Sequence, residues 1–208
     1  MNLWKHMFAL MGLCFFASGQ FLAAQSLYEI EATIFKGHPD TMKDLLPQAG
    51  QTEQRVRSIP QSRYFRLLRD KKIQHKTLKI RVIPGEVGRA EDFQEVIVTR
   101  NDQKTSMREG VSMTAKIETV PQGRSAMLDF QISDIEIHQP SSHDEEIRGA
   151  DDSRNPPFSE HKTQSKVFLR MDEYSVVSGS FQKHHDQDVG FAVVITISEA
   201  KDKKTSQR

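Results

Sequence analysis

GVSMTAKIE at residues 110–118 and LDFQIS at residues 128–133 both alternate apolar with polar side chains. A period of two is typical of a β-strand that buries one face. Pro121 and Gly123 lie between the two stretches and favour a turn there. The sequence therefore predicts an antiparallel β-hairpin in the middle of the chain.

The second strand of this hairpin shows a change of phase. After Ser133 the apolar positions move to Ile135 and Ile137, a shift of one residue. Because successive side chains of a strand point to opposite faces, the shift would place these two isoleucines on the other face of the sheet. A β-bulge that absorbs the extra residue is the alternative.

Strand patterns recur on both sides of the hairpin. Six further segments are predicted to be strands, at residues 28–34, 78–82, 95–99, 167–171, 174–181 and 189–197. The last of these is apolar at both sets of alternating positions, which is typical of a central strand covered on both faces. Most of the chain is therefore expected to pair into sheets.

Two helical patterns interrupt the strands. Residues 62–73 space their apolar side chains by three and four, which predicts a short amphipathic helix. Phe65 and Leu68 are assigned to its buried side, with Tyr64 and Leu67 as further candidates for the same side. Residues 42–46 are predicted to form a single helical turn. The expected fold class is mainly β with one or two short helices (α+β), arranged as antiparallel sheets or a sandwich.

Length and charge limit the classes of function. The chain has 208 residues, 37% of them hydrophobic, and 29 Lys plus Arg against 28 Asp plus Glu. This length favours one soluble domain with enough apolar residues for a core. A net charge of +1 provides no strong field for phosphates, so nucleic acid is not expected as a partner.

The N-terminus has the pattern of a secretory signal peptide. Lys5 precedes an apolar run from Met7 to Ala17, and small residues lead to a predicted cleavage site after Ala24. We therefore assign residues 1–24 to the signal and expect an exported protein, in the periplasm or at the outer membrane. An uncleaved anchor helix is the alternative, although the run is shorter than a spanning helix requires.

The single cysteine, Cys14, lies within this predicted signal. Leu13 before it is bulky where a lipoprotein signal needs a small residue, so lipidation is not expected. Cleavage would leave a mature chain without thiols, which excludes disulfides and thiolate metal sites from it. Packing and backbone pairing must then stabilise the fold.

The remaining chain is assigned to one β domain at residues 25–200. Residues 138–162 are polar, contain three prolines and several acids, and are predicted to form a long exposed loop. Residues 201–208 are charged and are expected to be a disordered tail.

One cluster has the composition of a metal site, the run HHDQD that contains His184, His185, Asp186, Gln187 and Asp188. Its imidazoles and carboxylates could bind a divalent ion, with His161 or His143 completing the shell. Adjacent side chains of an extended chain point apart, however, and a polar turn between strands needs the same residue types. The turn is the favoured interpretation, and no metal or other cofactor is expected.

Catalytic motifs are missing from the sequence. No serine lies in a Gly-x-Ser-x-Gly elbow, and there is neither a phosphate-binding glycine loop nor a His-Glu-x-x-His pattern. Glu145 and Glu146 are adjacent acids, but they lie in the predicted loop, where solvation should leave them ordinary carboxylates. We predict a non-enzymatic protein with no catalytic residue and no small-molecule substrate. A metal-dependent hydrolase that uses His184 and His185 is a remote third alternative.

Basic residues are frequent between residues 63 and 81. They are Arg63, Arg66, Arg69, Lys71, Lys72, Lys76, Lys79 and Arg81. Such a surface could bind an acidic partner or lipid headgroups. The solvated side of a helix and of its neighbouring strand is the favoured interpretation.

The order of these segments resembles the core homology domain of bacterial secretins, the ring-forming outer-membrane proteins of type II and III secretion and type IV pili. Four segments carry the resemblance: YEIEATI at residues 28–34, FRLLRDK at 65–71 followed by KIRVIP at 79–84, the hairpin at 110–133, and the closing strands at 165–171, 175–181 and 191–197. We expect a divergent relative that lacks the N-terminal ring domains.

The resemblance implies a role in a secretion or pilus ring. The chain would contribute β-hairpins to a homo-oligomer or dock on such a ring, with copies of itself or other secretion proteins as partners. Strands of separate subunits can pair edge to edge, which leaves no free edge. The alternative is a monomeric periplasmic β-sandwich that serves as an adaptor or ligand-binding module without a pore.

Overall fold

A computed structural model describes residues 26–46, 56–100, 103–119, 124–137, 158–184 and 187–200. The signal at 1–24, the tail at 201–208 and the turn at Pro121 and Gly123 lie outside these ranges. The described elements are β1 (Tyr28–Gly37), α1 (Pro39–Met42), β2 (Arg57–Ile59), α2 (Gln61–Arg69), β3 (Ile73–Val82), β4 (Val87–Arg100), β5 (Gln103–Thr119), β6 (Ser125–Ile137), β7 (Phe158–Arg170), β8 (Tyr174–His184) and β9 (Gln187–Glu199).

The strands form two antiparallel sheets. The five-stranded sheet has the order β2-β8-β9-β1-β3, and the four-stranded sheet has the order β4-β5-β6-β7. The first and last strands of the domain, β1 and β9, pair along ten residues from Tyr28 opposite Glu199 to Gly37 opposite Gly190. The predicted class, mainly β with two short helices and antiparallel sheets, is confirmed.

The two sheets pack face to face around one apolar core. Aliphatic residues of β1, β3 and β9 meet those of β5 and β6, with Ile30, Ile195 and Ile117 completely buried. Alternation on each strand provides this inner face, because every second residue points towards the opposite sheet.

The two helices cover the outer face of the five-stranded sheet. A second apolar cluster lies there, formed by Met42 of α1, Leu46 after this helix, Leu67 of α2 and Val194 of β9. The predicted central strand is confirmed, since Val193 and Val194 of β9 are both buried, one on each face. The five-stranded sheet therefore lies between the helices and the four-stranded sheet.

A polar contact fixes α2 on this sheet. The Tyr64 hydroxyl contacts Thr33 Oγ1 at 2.8 Å and donates a hydrogen bond to Glu31 Oε1 at 2.7 Å. The Tyr64 ring stacks on Tyr174, with 4.0 Å between the ring centroids. Burial is the main cause that raises the pKa of the Tyr64 hydroxyl well above its usual range.

The helical segments differ from the prediction in their details. Helix α2 ends at Arg69, so Ile73 belongs to β3, and the assignment of Phe65 to the core is wrong, since 40% of its surface is exposed. Tyr64 and Leu67 are buried, as expected. The turn predicted at residues 42–46 follows a short helix that begins at Pro39, which suits the first turn because it lacks an N–H.

The predicted central hairpin is confirmed as β5 and β6. Their register runs without interruption from Gly110 opposite Ile135 to Ile117 opposite Leu128, with an irregularity only near Thr119. No bulge follows Ser133. Ile135 therefore lies on the outer face of the sheet, as the change of phase indicated.

The loop predicted at residues 138–162 needs a correction at its end. Strand β7 begins at Phe158 and pairs with β6 from Phe158 opposite Ile137 onwards. Backbone pairing with β6 orders residues 158–162 although their side chains are largely polar. Residues 138–157 lie outside the described ranges.

Candidate functional site: the edges and the ionic end of the four-stranded sheet

The four-stranded sheet has two long edges. Strand β4 has 14 residues, strand β7 has 13, and each pairs on one side only within the described part of the chain. An edge of this kind presents a row of backbone N–H and C=O groups that can pair with a strand of another chain. The edge strands of the five-stranded sheet are shorter: β2 has three residues and β3 has ten.

Strand directions make these edges compatible with each other. Neighbouring strands from β4 to β7 are antiparallel, so β4 and β7 run in opposite directions. If β7 of one copy pairs with β4 of the next, the new pair is antiparallel as well. Repetition of one such head-to-tail contact gives a ring if the rotation between copies closes, and an open filament if it does not.

The outer face of this sheet is mostly polar. Glu91 of β4 forms ion pairs with Arg89 and Arg108, and Lys166 of β7 pairs with Glu118 of β5. These charges are solvated and individually contribute little stability. They nevertheless separate the exposed apolar side chains of the face, which are Val87, Ile97 and Phe168.

At one end of the sheet, charged side chains replace aliphatic ones on the inner face. We call this end the ionic end. Asp134 of β6 is almost completely buried, and its carboxylate accepts a hydrogen bond from Lys76 Nζ at 2.7 Å. Lys36 Nζ lies 4.0 Å from the same carboxylate and 2.5 Å from Glu136. Both lysines belong to the five-stranded sheet and both carboxylates to the four-stranded sheet.

The lysines determine the ionisation of Glu136. Burial opposes its negative charge, but the hydrogen bond from Lys36 and the positive charges of Lys36, Lys76 and His161 outweigh it. The pKa of Glu136 is therefore lowered below its usual value. This carboxylate stays charged and keeps its ion pair at neutral pH.

His161 completes the ionic end. It lies on β7 directly opposite Asp134, it is buried, and its ring stacks on Phe191 of β9 with 4.7 Å between centroids. This contact crosses from one sheet to the other. His161 was named only as a possible member of a metal shell, and the structure places its ring against Phe191.

The HHDQD run, considered as a metal site and interpreted as a polar turn, is only partly described. His184 ends β8 opposite Gln187, and Asp188 lies opposite Lys183. His185, Asp186 and His143 lie outside the described ranges, as do Glu145 and Glu146. Within the described residues, no three side chains from His, Cys, Asp and Glu form a group that could bind a metal ion.

The predicted basic stretch does not form one surface. Arg63 of α2 pairs with Asp44, which follows α1; we call α1, α2 and the residues between α1 and Leu46 the helical layer. Lys79 and Arg81 pair with Glu31 and Glu29 of β1. Lys76 instead points to the ionic end. The exposed remainder consists of Arg66, Arg69, Lys71 and Lys72.

Sequence analysis missed the ionic end, although a signal for it exists. On three strands the alternating aliphatic residues of the inner face are followed or preceded by a charged residue at the next inner-face position. These residues are Lys36 after Ile34, Lys76 before Leu78, and Asp134 after Ile132. Opposite charges on strands from two sheets would have suggested that these positions meet. The pairing of β1 with β3 and the packing of the sheets could not be obtained from the spacing.

Comparison with solved structures identifies the fold. The type II secretin GspD of enteropathogenic Escherichia coli superposes with a TM-score of 0.52 at 11% identity, over 93% of this chain and 75% of that one. The fold is that of a secretin domain. The secretin XcpQ of Pseudomonas aeruginosa gives 0.53 at 9% identity, over 93% of this chain and 64% of that one.

A pilus secretin shows the same likeness. PilQ, the secretin of the type IV competence pilus of Vibrio cholerae, gives a TM-score of 0.51 at 9% identity, over 92% of this chain and 65% of that one. The chain thus spans about two thirds of the length of these two proteins. No protein-family model matches the sequence. No curated protein matches it either.

Within the described residues, no helix is both long and apolar enough to cross a membrane.

Proposed function

We propose that this chain is a non-enzymatic, exported secretin-like protein of the bacterial cell envelope that assembles with copies of itself or docks on a secretion or pilus ring. One observation carries the proposal: a four-stranded sheet with the secretin-domain fold has two long edges that run in opposite directions. The outer-membrane complex of Klebsiella pneumoniae with a similar domain contains PulD, PulS and PulC, which supports partners of this kind.

The sheet supplies the physical requirement for assembly. Pairing of β7 with β4 of a neighbouring copy would satisfy the backbone groups along both 13- and 14-residue edges. The polar outer face would remain in contact with water. The inner face needs no partner, because the five-stranded sheet already covers its aliphatic residues.

Disulfide trapping tests this contact, because the predicted mature chain has no cysteine. Arg89 on β4 and Gln164 on β7 lie on the same outward-facing row of the sheet, at its two edges. We expect Arg89→Cys/Gln164→Cys chains to form ladders of linked subunits under oxidation. To cover neighbouring registers between copies, the β4 cysteine is also placed at Glu91 and at Glu95.

Lys43→Cys/Gln164→Cys is the matched control, since Lys43 lies in the helical layer and should give no ladder. Native mass of the full chain, extracted with mild detergent, gives the subunit number. A monomer that forms no ladder in any of the three registers would contradict self-assembly and favour the monomeric adaptor.

A further inference from the structure

The inner faces of the two sheets meet in two chemically different ways. At one end, aliphatic side chains such as Ile80, Ile117 and Ile197 fill the space between the sheets. At the other end, Asp134 and Lys76 occupy the equivalent inner-face positions. The alternation of the strands is unbroken, so this change results from residue type and not from a change of register.

The ionic end contains every ion pair that joins the two sheets within the described residues. They are Lys36 with Asp134, Lys36 with Glu136, Lys76 with Asp134, and Lys76 with Glu136. The remaining described ion pairs lie within one sheet, within the helical layer or at a turn. The side chain of Asp134 is 2% exposed, so its charge depends on the two lysines.

Physical chemistry separates these two kinds of contact. A buried ion pair is no more stabilising than apolar side chains of the same volume, and often less so. Unlike aliphatic packing, an ion pair can be broken by a competing charged group or by protonation of its carboxylate. Removal of one partner leaves an uncompensated buried charge, which favours opening of the structure around it.

The ionic end is also where the two hairpins of the four-stranded sheet project. Residues 103–109 of β5 pair with β4 but not with β6, whose register with β5 begins at Gly110. Strands β6 and β7 end there at Ile137 and Phe158. A separation of the sheets at this end would therefore displace both hairpin ends.

We propose that Lys36, Lys76, Asp134 and Glu136 form a releasable clamp between the two sheets. When the ion pairs break, the four-stranded sheet separates from the five-stranded sheet at the ionic end, and both hairpin ends move with it. The aliphatic end stays closed and acts as the hinge. This inference concerns a single chain and does not depend on assembly into a ring.

Hydrogen exchange of the full chain, followed by mass spectrometry, tests the clamp in the variants Asp134→Asn and Lys76→Met. We expect exchange in the paired segments 132–137 and 158–163 to become about tenfold faster or more, because opening there no longer breaks the full set of ion pairs. Segments 126–130 and 192–197, at the aliphatic core, should change by less than about twofold.

Lys79→Met is the matched control. Lys79 lies on the same strand as Lys76, but it pairs with Glu31 on the helix-covered side of the sheet. Its loss should leave exchange at the ionic end unchanged. Should Asp134→Asn fail to fold, Lys76→Met retains the test, since its lysine is 40% exposed and Lys36 still faces Asp134.

The double variant Asp134→Leu/Lys76→Met replaces one ion pair with apolar side chains. We expect exchange at the ionic end to become as slow as in the natural chain or slower, and its response to salt to weaken. Equal acceleration of all four segments in the single variants would show one cooperative core and overturn the clamp. Unchanged exchange at 132–137 and 158–163 would overturn it too.

Discussion

The two sheets share one core but differ in what covers their other faces. In the five-stranded sheet, Ile195 is buried against the opposite sheet and Val194 is buried under the helices. In the four-stranded sheet, Ala115 is buried while Thr114, its neighbour, is accessible on the outer face. The five-stranded sheet is therefore the scaffold, covered on both faces, whereas the four-stranded sheet has an accessible outer face and two long edges within the described residues.

The largest expected effect tests this difference between the sheets directly. One carboxylate is placed on the outer face of each sheet in turn. Val194→Asp introduces an unpaired acid beneath the helices and should cost about 5 kcal/mol or more, enough to unfold the domain. Thr114→Asp places the same acid in water and should change stability by about 0.5 kcal/mol or less. Urea denaturation followed by circular dichroism measures both.

Comparable losses in the two variants would contradict the division into scaffold and exposed sheet. The same outcome would show that the outer face of the four-stranded sheet is covered in the protein. A monomeric preparation of the chain is the control, because assembly could protect the outer face by itself.

A second expected effect concerns Gly110 of β5, which lies opposite Phe93 of β4. This residue has a φ of +146°, and a β-carbon there would lie 2.1 Å from the carbonyl oxygen of Asp92 on β4. Gly110→Ala should therefore cost about 3 kcal/mol or more, from backbone strain and a clash with a paired strand.

Gly85→Ala is the matched control for backbone strain alone. Gly85 has a φ of +90°, but nothing lies within 4 Å of the added β-carbon. The cost should be about 1 kcal/mol, as for other residues in the left-handed region. Equal decreases of the melting temperature in the two variants would show that β4 moves away from the β-carbon at residue 110 without loss of stability.

The strands and the faces of this fold could be predicted because they depend on local alternation. Residues 110–118 and 189–197 carry the pattern in full, and the structure confirms both as strands. Phe65 was assigned to the core together with Tyr64 because α2 is only nine residues long, and so short an apolar pattern does not fix the phase of the helix. Tertiary contacts with Tyr174 and Thr33 decide that phase, and no local pattern contains them.

The edges of the four-stranded sheet could not be predicted for a different reason. Which strands lie at an edge depends on the order of pairing, and that order combines β1 with β9 across nearly the whole chain. The ionic end required the same information. Lys36 and Asp134 are far apart in sequence and meet only because two sheets pack face to face.

Tyr64→Phe tests the polar contact between α2 and the five-stranded sheet, and its expected effect on stability is smaller. The variant keeps the ring stacked on Tyr174 but removes the hydroxyl that contacts Thr33 and Glu31. The loss of two buried partners should cost about 1–2 kcal/mol at neutral pH. Tyr174→Phe, which removes a less buried hydroxyl from the same stack, is the control and should cost less.

Alkaline pH provides a second measurement at Tyr64. Its pKa is raised above the unfolded value, mainly by burial, so its stabilising contribution is complete below about pH 10 and is lost as the pH rises further. The natural chain should therefore lose stability more steeply than Tyr64→Phe in alkaline urea titrations. Parallel curves for the two proteins would contradict a buried, protonated hydroxyl.

The smallest expected effect is the acid response of the ionic end, where the two sheets are joined by charge. The folded pKa of Glu136 is lowered, and the charged groups that face it are Lys36, Lys76, Asp134 and His161. Its contribution is therefore complete above its ordinary pKa of about 4.3 and is lost as the pH falls through the lower, folded value. Glu136→Gln should cost about 1 kcal/mol or less at neutral pH, and its urea midpoint should fall less steeply than that of the natural chain below about pH 4.3. An unchanged acid slope in Glu136→Gln would assign the acid sensitivity to groups other than Glu136.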